Sequence, residues 1–566
     1  MSNKMDYDSV ECDVLVIGSG AAGARAAIEA KKRGVSVMLV TKKSLGSGST
    51  AVSGAGHAGV FSPEYGGDPK DSSEAHFRDT IESGCYLNNQ RLVRLMVDEA
   101  VKRVLELQNL GVRLSYVPFS EARRRPAGEG HSFTRSIGIQ GGGGGLIHQL
   151  TNKAKELGVE TKENVMITDL LKSKDAAVGA VGFGTKTGEF TVFNSKATVV
   201  ATGSGGQIYP VTSCMIDATG DGYAMAYHAG CSLQDMEFVQ FYPWRLISPT
   251  LYPESMPYTR VPVQSTVFSQ GGKLLNSRGE RFMERIDPVR KELTTRDVAA
   301  RAIFNEIKAE RDVDGGVLLD ISQIFDENFL NSDPRYSLFR EKGLDIKQTK
   351  MIVAPEAHYF MGGVRVDTDC ETDVPGLFVA GEAIGGIDGA NRLANNALTM
   401  CQVTGAVAGI QAARRAAELK KAPEIFSEEV AAKMERTKSC LRGGESSQSL
   451  RRELQALMWE NAGIVRVRYE LERALARVLE LREDLSRVGA SDFVDLMKVV
   501  ELRNMSDVAE MVTKAALFRK ESRGAHYRQD FPERNDKDWK VNIVIRKEEE
   551  RMTLSKAPVA DIESSS

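Results

Sequence analysis

Cysteine and histidine are scarce in this chain, and neither sign of charge is in surplus. The 7 cysteines and 7 histidines are spread over 566 residues. No Cys-x-x-Cys pair and no His-x-x-x-His spacing occurs, so the chain does not read as an iron–sulfur or zinc carrier and no metal site is expected. Cys12, Cys85, Cys214, Cys231, Cys370, Cys401 and Cys440 read instead as small apolar residues in a reducing compartment. With 74 basic against 77 acidic residues the net charge is −3, which argues against a polyanion partner and hence against nucleic acid. No apolar run approaches the ~20 residues of a membrane span, and the N-terminus shows no charged-then-apolar leader. The expected location is cytoplasmic, with attachment at the inner face of a membrane only through another subunit.

What is present is core material and glycine. A hydrophobic content of 42% over this length supports two to four domains of a globular protein. Near the start, the apolar run Cys12–Ile17 leads into Gly18-Ser-Gly20-Ala21-Ala22-Gly23 and then the helix-like 24–33. This is a strand, a tight turn and a helix, the arrangement that seats a dinucleotide pyrophosphate on a helix N-terminus. The next strand, 35–40, ends in Thr41-Lys42-Lys43 and not in the acidic residue that usually takes the ribose hydroxyls, a contact Thr41 could make less strongly. From Ser44 to Val60 almost every residue is small, as a loop lying against a flat ring requires; Ser49, Thr50 and Gly54 fall there. The five glycines Gly141–Gly145 have linker composition, but Ile139, Leu146 and the helical 146–158 make them an ordered turn.

The strand-to-glycine pattern returns at Ala197–Gly206, with Ala201-Thr202-Gly203, and at Gly376–Glu382. Between these, about 246–350 has mixed character and looks inserted. The fold class expected is α/β: a discontinuous Rossmann-type cofactor-binding domain, 1–245 with 351–425, an inserted α+β capping domain at 246–350 and a C-terminal helical domain at 430–540. The charged, then serine-rich 541–566 reads as a tail, partly disordered or draped over a partner.

Two arginines and a histidine stand in distinctive contexts: Thr-Thr-Arg296-Asp, Ala-His358-Tyr-Phe-Met-Gly-Gly, and Gly-Ala-Asn-Arg392-Leu-Ala-Asn-Asn396. Taken singly, each has a plainer reading: a surface ion pair, a core histidine, a pyrophosphate anchor. Together with Thr219-Gly-Asp221-Gly222, Asp235–Gln240, Gly279–Arg285 and Arg519–Arg528, they resemble the flavoprotein subunits of fumarate reductase and succinate dehydrogenase over almost the whole chain, with L-aspartate oxidase and adenylylsulfate reductase more distant. That resemblance implies FAD contacts from Gly18, Gly20, Ala21, Ala22, Gly23, Thr41, Lys42, Ser49, Thr50, Gly54, Ala201, Thr202, Gly203, Asp221, Glu382, Asn396, Ala397 and Leu398. It implies a hydride passed between flavin and one carbon of a carboxylic acid, with Arg296 moving the proton and His358 and Arg392 holding a carboxylate. It also implies an iron–sulfur electron-transfer partner, since this chain carries no cluster motif.

The chain departs from that family in places. Ser49 stands where the dehydrogenases have the histidine that binds flavin covalently, so non-covalent FAD is expected. Ile216 stands at a substrate-binding histidine, Gln264, Ser265 and Phe268 replace a threonine, a glutamate and an arginine, and Tyr242 and Trp244 replace the histidine and threonine of Gln-Phe-His-Pro-Thr. Charge and imidazole give way to amide, hydroxyl and aromatic groups on the distal side, which implies a substrate other than free fumarate, larger or less charged. Two other readings are an FAD relay subunit of a larger redox complex and an enzyme like L-aspartate oxidase; Gly128–Ser132 favours the latter and the lost His-Pro-Thr opposes it.

Overall fold

The computed structural model describes residues 7–53, 57–60, 62–65, 67–115, 130–251, 263, 266–324, 339–443 and 446–562. Its largest sheet is built on the strand Asp8–Ile17, which lies parallel between Val37–Thr41 and Phe190–Val200. Glu160–Glu163 extends the sheet on one side. On the other, Phe190–Val200 changes partner along its length: residues 190–194 pair antiparallel with Ala176–Gly184, and 198–200 pair parallel with Leu377–Val379. The last pairing closes the discontinuous domain, because a strand late in the chain completes a sheet begun at its start. Val14, Leu15, Val16, Val199, Val200 and Val379 are fully buried, as expected of parallel strands covered on both faces.

Helix Ala21–Lys31 follows the first strand and packs on the long helix Asn396–Glu418. Small residues make that approach possible. A Cβ on Gly405 would lie 2.5 Å from the Ala22 carbonyl oxygen, and one on Gly409 would lie 2.2 Å from that of Ala26. Neither backbone could close to this distance against a larger side chain. The glycine run Gly141–Gly145 is the start of helix Gly142–Glu156, and a Cβ on Gly143 would sit 1.9 Å from the Thr50 carbonyl oxygen. Its composition therefore reflects a helix end pressed on the small-residue loop, not a linker.

A second hydrophobic core, separate from that of the sheet domain, spans residues Tyr242 to Val353. It lies on an antiparallel sheet ordered Val239–Ser248, Met351–Phe360, Val317–Asp320 and Lys273–Leu275, with helix Arg296–Lys308 against it. The two long strands leave the first core and enter the second, so residues on them face both. Helices Ser447–Asn461, Arg468–Asp484 and Phe493–Phe518 pack on one another to form the C-terminal unit.

The expected tail at 541–566 is corrected by the structure. Val541–Glu548 and Arg551–Pro558 form an antiparallel hairpin that pairs with Leu233–Gln234, and Ile543 and Ile545 are fully buried. Asp235 fastens it, accepting from the Ile543 amide at 2.9 Å and from Asn542 Nδ2 at 2.6 Å. The charge of residues 546–551 belongs to the exposed turn end of the hairpin and hides the apolar strand before it.

Candidate functional site

The carboxyl ends of the parallel strands open into a cleft. Gly18, Gly20, Ala21, Ala22, Thr41, Lys42, Ser49, Thr50, Ala201, Thr202, Gly203, Asp221 and Glu382 all line it. The glycines divide by role. Gly18 has φ +103° and a Cβ there would meet the Ala201 carbonyl oxygen at 2.4 Å, while one on Gly23 would meet the Gly18 carbonyl oxygen at 1.9 Å. These two hold strand and helix together. A Cβ on Gly20 would meet only Thr50 Oγ1, at 3.7 Å, and one on Gly203 nothing within 4 Å. Those two leave room in front of the helix N-terminus.

Several polar groups of the cleft are already committed. Thr41 Oγ1 accepts from Ser19 Oγ at 3.1 Å, and Thr50 Oγ1 accepts from the Ala21 amide at 3.2 Å. Lys42 Nζ lies 2.8 Å from Asp221 and 2.7 Å from Glu501, so its charge ties the strand end to the C-terminal helix. Asn396 is fully buried, its Oδ1 on His76 Nε2 at 2.8 Å and its Nδ2 on Thr80 Oγ1 at 3.1 Å. A buried amide needs such partners. Neither it nor Ala397 nor Leu398 is on the cleft wall, and Gly54 lies outside the described residues.

Beyond the cleft, the three singled-out residues come together. Arg296, the first residue of its helix, donates from Nη1 to Gln240 Oε1 at 3.1 Å. Arg392 donates from Nη2 to the same oxygen at 3.4 Å. Gln240 is held in turn, its Nε2 donating to Asn391 Oδ1 and to the Arg392 carbonyl, both at 2.9 Å. Both arginines are buried, and both lie over aromatic faces: Arg296 over Tyr242 at 4.9 Å, Arg392 over Tyr359 at 4.3 Å. Burial and then the neighbouring Arg296 charge push the Arg392 guanidinium below its usual value. Opposite them His358 has Nδ1 2.6 Å from Ser213 Oγ, and its ring is 5.2 Å from that of Tyr242. Burial, with Arg392 and Arg296 adding to it, holds His358 well below the ordinary histidine range, so it is neutral at pH 7.

Of the residues expected on the distal side, Trp244 and Phe268 are buried with ring centroids 4.7 Å apart in the second core. Ile216 does not join them. It is 39% exposed, and its carbonyl accepts from Arg451 at 3.5 Å. Gln264 and Ser265 lie outside the described residues.

Comparison with known proteins decides the family. Residues 13–398 match the FAD binding domain family and residues 451–564 the fumarate reductase flavoprotein C-terminal family. A fumarate reductase (CoM/CoB) subunit from Methanothermobacter marburgensis is 40% identical over 96% of this chain and 99% of its own. The chain belongs to the fumarate reductase and succinate dehydrogenase flavoprotein family. An L-aspartate oxidase from Nicotiana tabacum is 35% identical over 92% of this chain and 82% of its own. In three dimensions, Escherichia coli quinol fumarate reductase FrdA superposes with a TM-score of 0.89 at 26% identity, covering 99% of this chain and 98% of that one.

The protein is thus an FAD-dependent oxidoreductase of this family, and the cleft fits that cofactor. Room in front of Gly20 and Gly203 suits a diphosphate, and Thr202 Oγ1 is buried with no partner among the described residues. The Glu382 carboxyl lines the cleft and accepts from the Phe360 amide at 3.2 Å, with oxygen lone pairs left over for ligand hydroxyls. Two residues that hold the arginine–histidine arrangement together carry no signal of that role in the sequence. Gln240 was visible within Asp235–Gln240 but not as the link between two arginines, and Ser213 carried no motif. Among the described residues no helix is long and apolar enough to cross a membrane.

Proposed function

We propose that this flavoprotein-family chain is a catalytic subunit that reduces, or forms, the C=C bond of a small carboxylic acid, exchanging electrons with an iron–sulfur partner subunit. Bound in the cleft, non-covalently because Ser49 offers no nucleophilic ring nitrogen, FAD supplies or accepts the hydride. The observation that carries the reading is the convergence of Arg296 and Arg392 on Gln240 Oε1, beside a neutral His358. Two buried guanidiniums cost desolvation energy that an anionic ligand returns. Arg392, planar and stacked on Tyr359, suits a bidentate grip on a carboxylate. In the tautomer in which Nδ1 of His358 accepts from the Ser213 hydroxyl, 2.6 Å away, Nε2 carries the hydrogen and can donate to the same carboxylate.

In the reducing direction, one alkene carbon gains a hydride, its neighbour gains a proton through Arg296, and the π pair becomes the second C–H bond. A cation at that place also stabilises the charge that builds next to the carboxylate. Aromatic residues on the distal side support a substrate other than free fumarate. The reading is tested by oxidation of reduced methyl viologen in the presence of α,β-unsaturated carboxylic acids. Acid-dependent turnover that survives Arg296→Ala would refute the role of Arg296, and no acid-dependent turnover in the unaltered protein would leave electron relay as the role. The likeness to L-aspartate oxidases supports a second reading, amino-acid oxidation, for which oxygen uptake with L-aspartate is the measurement.

A further inference from the structure

Gln240, Tyr242 and Trp244 are alternate residues of one strand, Val239–Ser248, and all are buried. The strand bulges between Tyr242 and Arg245, so the order is read from contacts: Arg296 lies over the Tyr242 ring at 4.9 Å and that ring lies 5.7 Å from Trp244, which makes Tyr242 and then Trp244 successive levels leading away from the arginine pair. At the first level stand Arg296 and Arg392 on Gln240. At the second stands Tyr242, whose hydroxyl hydrogen is given to the Val263 carbonyl at 2.6 Å. It has no proton left for a second carboxylate. At the third, Trp244 lies 5.7 Å from the Tyr242 ring and 4.7 Å from the Phe268 ring. Its indole Nε1, in a residue with 0% exposure, has no acceptor among the described residues.

These levels differ in what they can hold. The first is cationic. The third presents aromatic faces and one N–H donor unmet among the described residues, and a carboxylate buried there would lose its hydration against apolar rings. A neutral acceptor would satisfy the donor at no such cost. We propose that the substrate is a monocarboxylic α,β-unsaturated acid whose far end is uncharged and carries a hydrogen-bond acceptor, lying against Tyr242, Trp244 and Phe268 with the Trp244 indole donating to it. This rests on the carboxylic-acid reading above and specifies its distal half.

The test compares near-isosteric acids on the full-length FAD-loaded protein with reduced methyl viologen as donor. Monomethyl fumarate, with one charge removed, is expected to exceed fumarate in kcat/KM by roughly tenfold or more. Fumarate equal to or better than its monoester overturns the proposal and leaves the carboxylic-acid reading standing; no oxidation by either overturns both. Trp244→Phe keeps a ring and removes the donor. It should lower the kcat/KM ratio of monomethyl fumarate to crotonate, which has no far acceptor, by roughly tenfold. An unchanged ratio overturns the assignment of Trp244.

Discussion

Gln240→Glu probes the arginine pair with almost no change of shape. Arg296 Nη1 and Arg392 Nη2 lie 3.1 and 3.4 Å from Gln240 Oε1, so a carboxylate there would sit where an anion is most favoured. At an effective dielectric of about 20, each such contact is worth about 5 kcal/mol. Loss of donation from Nε2 to Asn391 and to the Arg392 carbonyl, both 2.9 Å, returns several kcal/mol. The protein should remain folded with FAD bound. The site, however, falls from two net charges to one, and a substrate carboxylate about 6 Å from the new charge loses about 3 kcal/mol, or roughly a hundredfold in kcat/KM. The assay is viologen-linked turnover of an unsaturated monocarboxylic acid, with FAD content measured on the same samples. A kcat/KM within threefold of the unaltered protein, at equal FAD content, would show that the two arginines are not where the substrate carboxylate binds.

Three further outcomes follow from the same geometry. Ser213→Ala frees His358 to change tautomer, so KM should rise roughly tenfold with kcat changed less, and Ser213→Thr should restore it; equal loss in both variants would sink the positioning role. Precipitation with acid should release all FAD into the supernatant, whereas flavin retained on the pellet would contradict the reading of Ser49. Burial, then Arg135, lowers His76 to about 4, so between pH 6.5 and 4 the unfolded chain takes up a proton that the folded chain refuses. Its contribution is complete above about pH 6.5 and falls by about 1.4 kcal/mol per pH unit below it. Glu382 and Asp388, raised to about 7 and about 6, act in the opposite sense. The informative quantity is therefore the stability difference from His76→Gln in urea unfolding, which should shift by about 2 kcal/mol between pH 7 and 5; a constant difference would refute it.

The sheet domain was legible in the sequence because its glycines mark places where backbones nearly touch. Gly18 and Gly23 have no room for a Cβ, and that need survives in any reading of the chain. Arg296, His358 and Arg392 were legible through their neighbours. Gln240 and Ser213 were not, since Gln240 acquires its role only when the helix of Arg296 and the segment of Arg392 meet on it, and Ser213 only when Thr212 bridges to Ala357 and brings it beside His358. Composition misled where charge and apolar periodicity share a segment, as in the hairpin at 541–558, which looks solvated until Leu233–Gln234 supplies the partner strand. Asn396, expected from its motif at the cofactor, has its side-chain amide bound to His76 and Thr80, partners far from it in sequence that no local pattern reveals.

The central claim is that chemistry on a carboxylic acid happens at Arg296, His358 and Arg392. The direct measurement is a single turnover: the FAD-loaded protein, reduced without oxygen, is mixed with an unsaturated monocarboxylic acid while the flavin absorbance is followed. Rapid reoxidation in the unaltered protein, and its loss by a thousandfold or more in an Arg296→Ala variant with full FAD content, is the predicted result, about 4 kcal/mol in the barrier. Reoxidation at the same rate in both proteins would contradict the account.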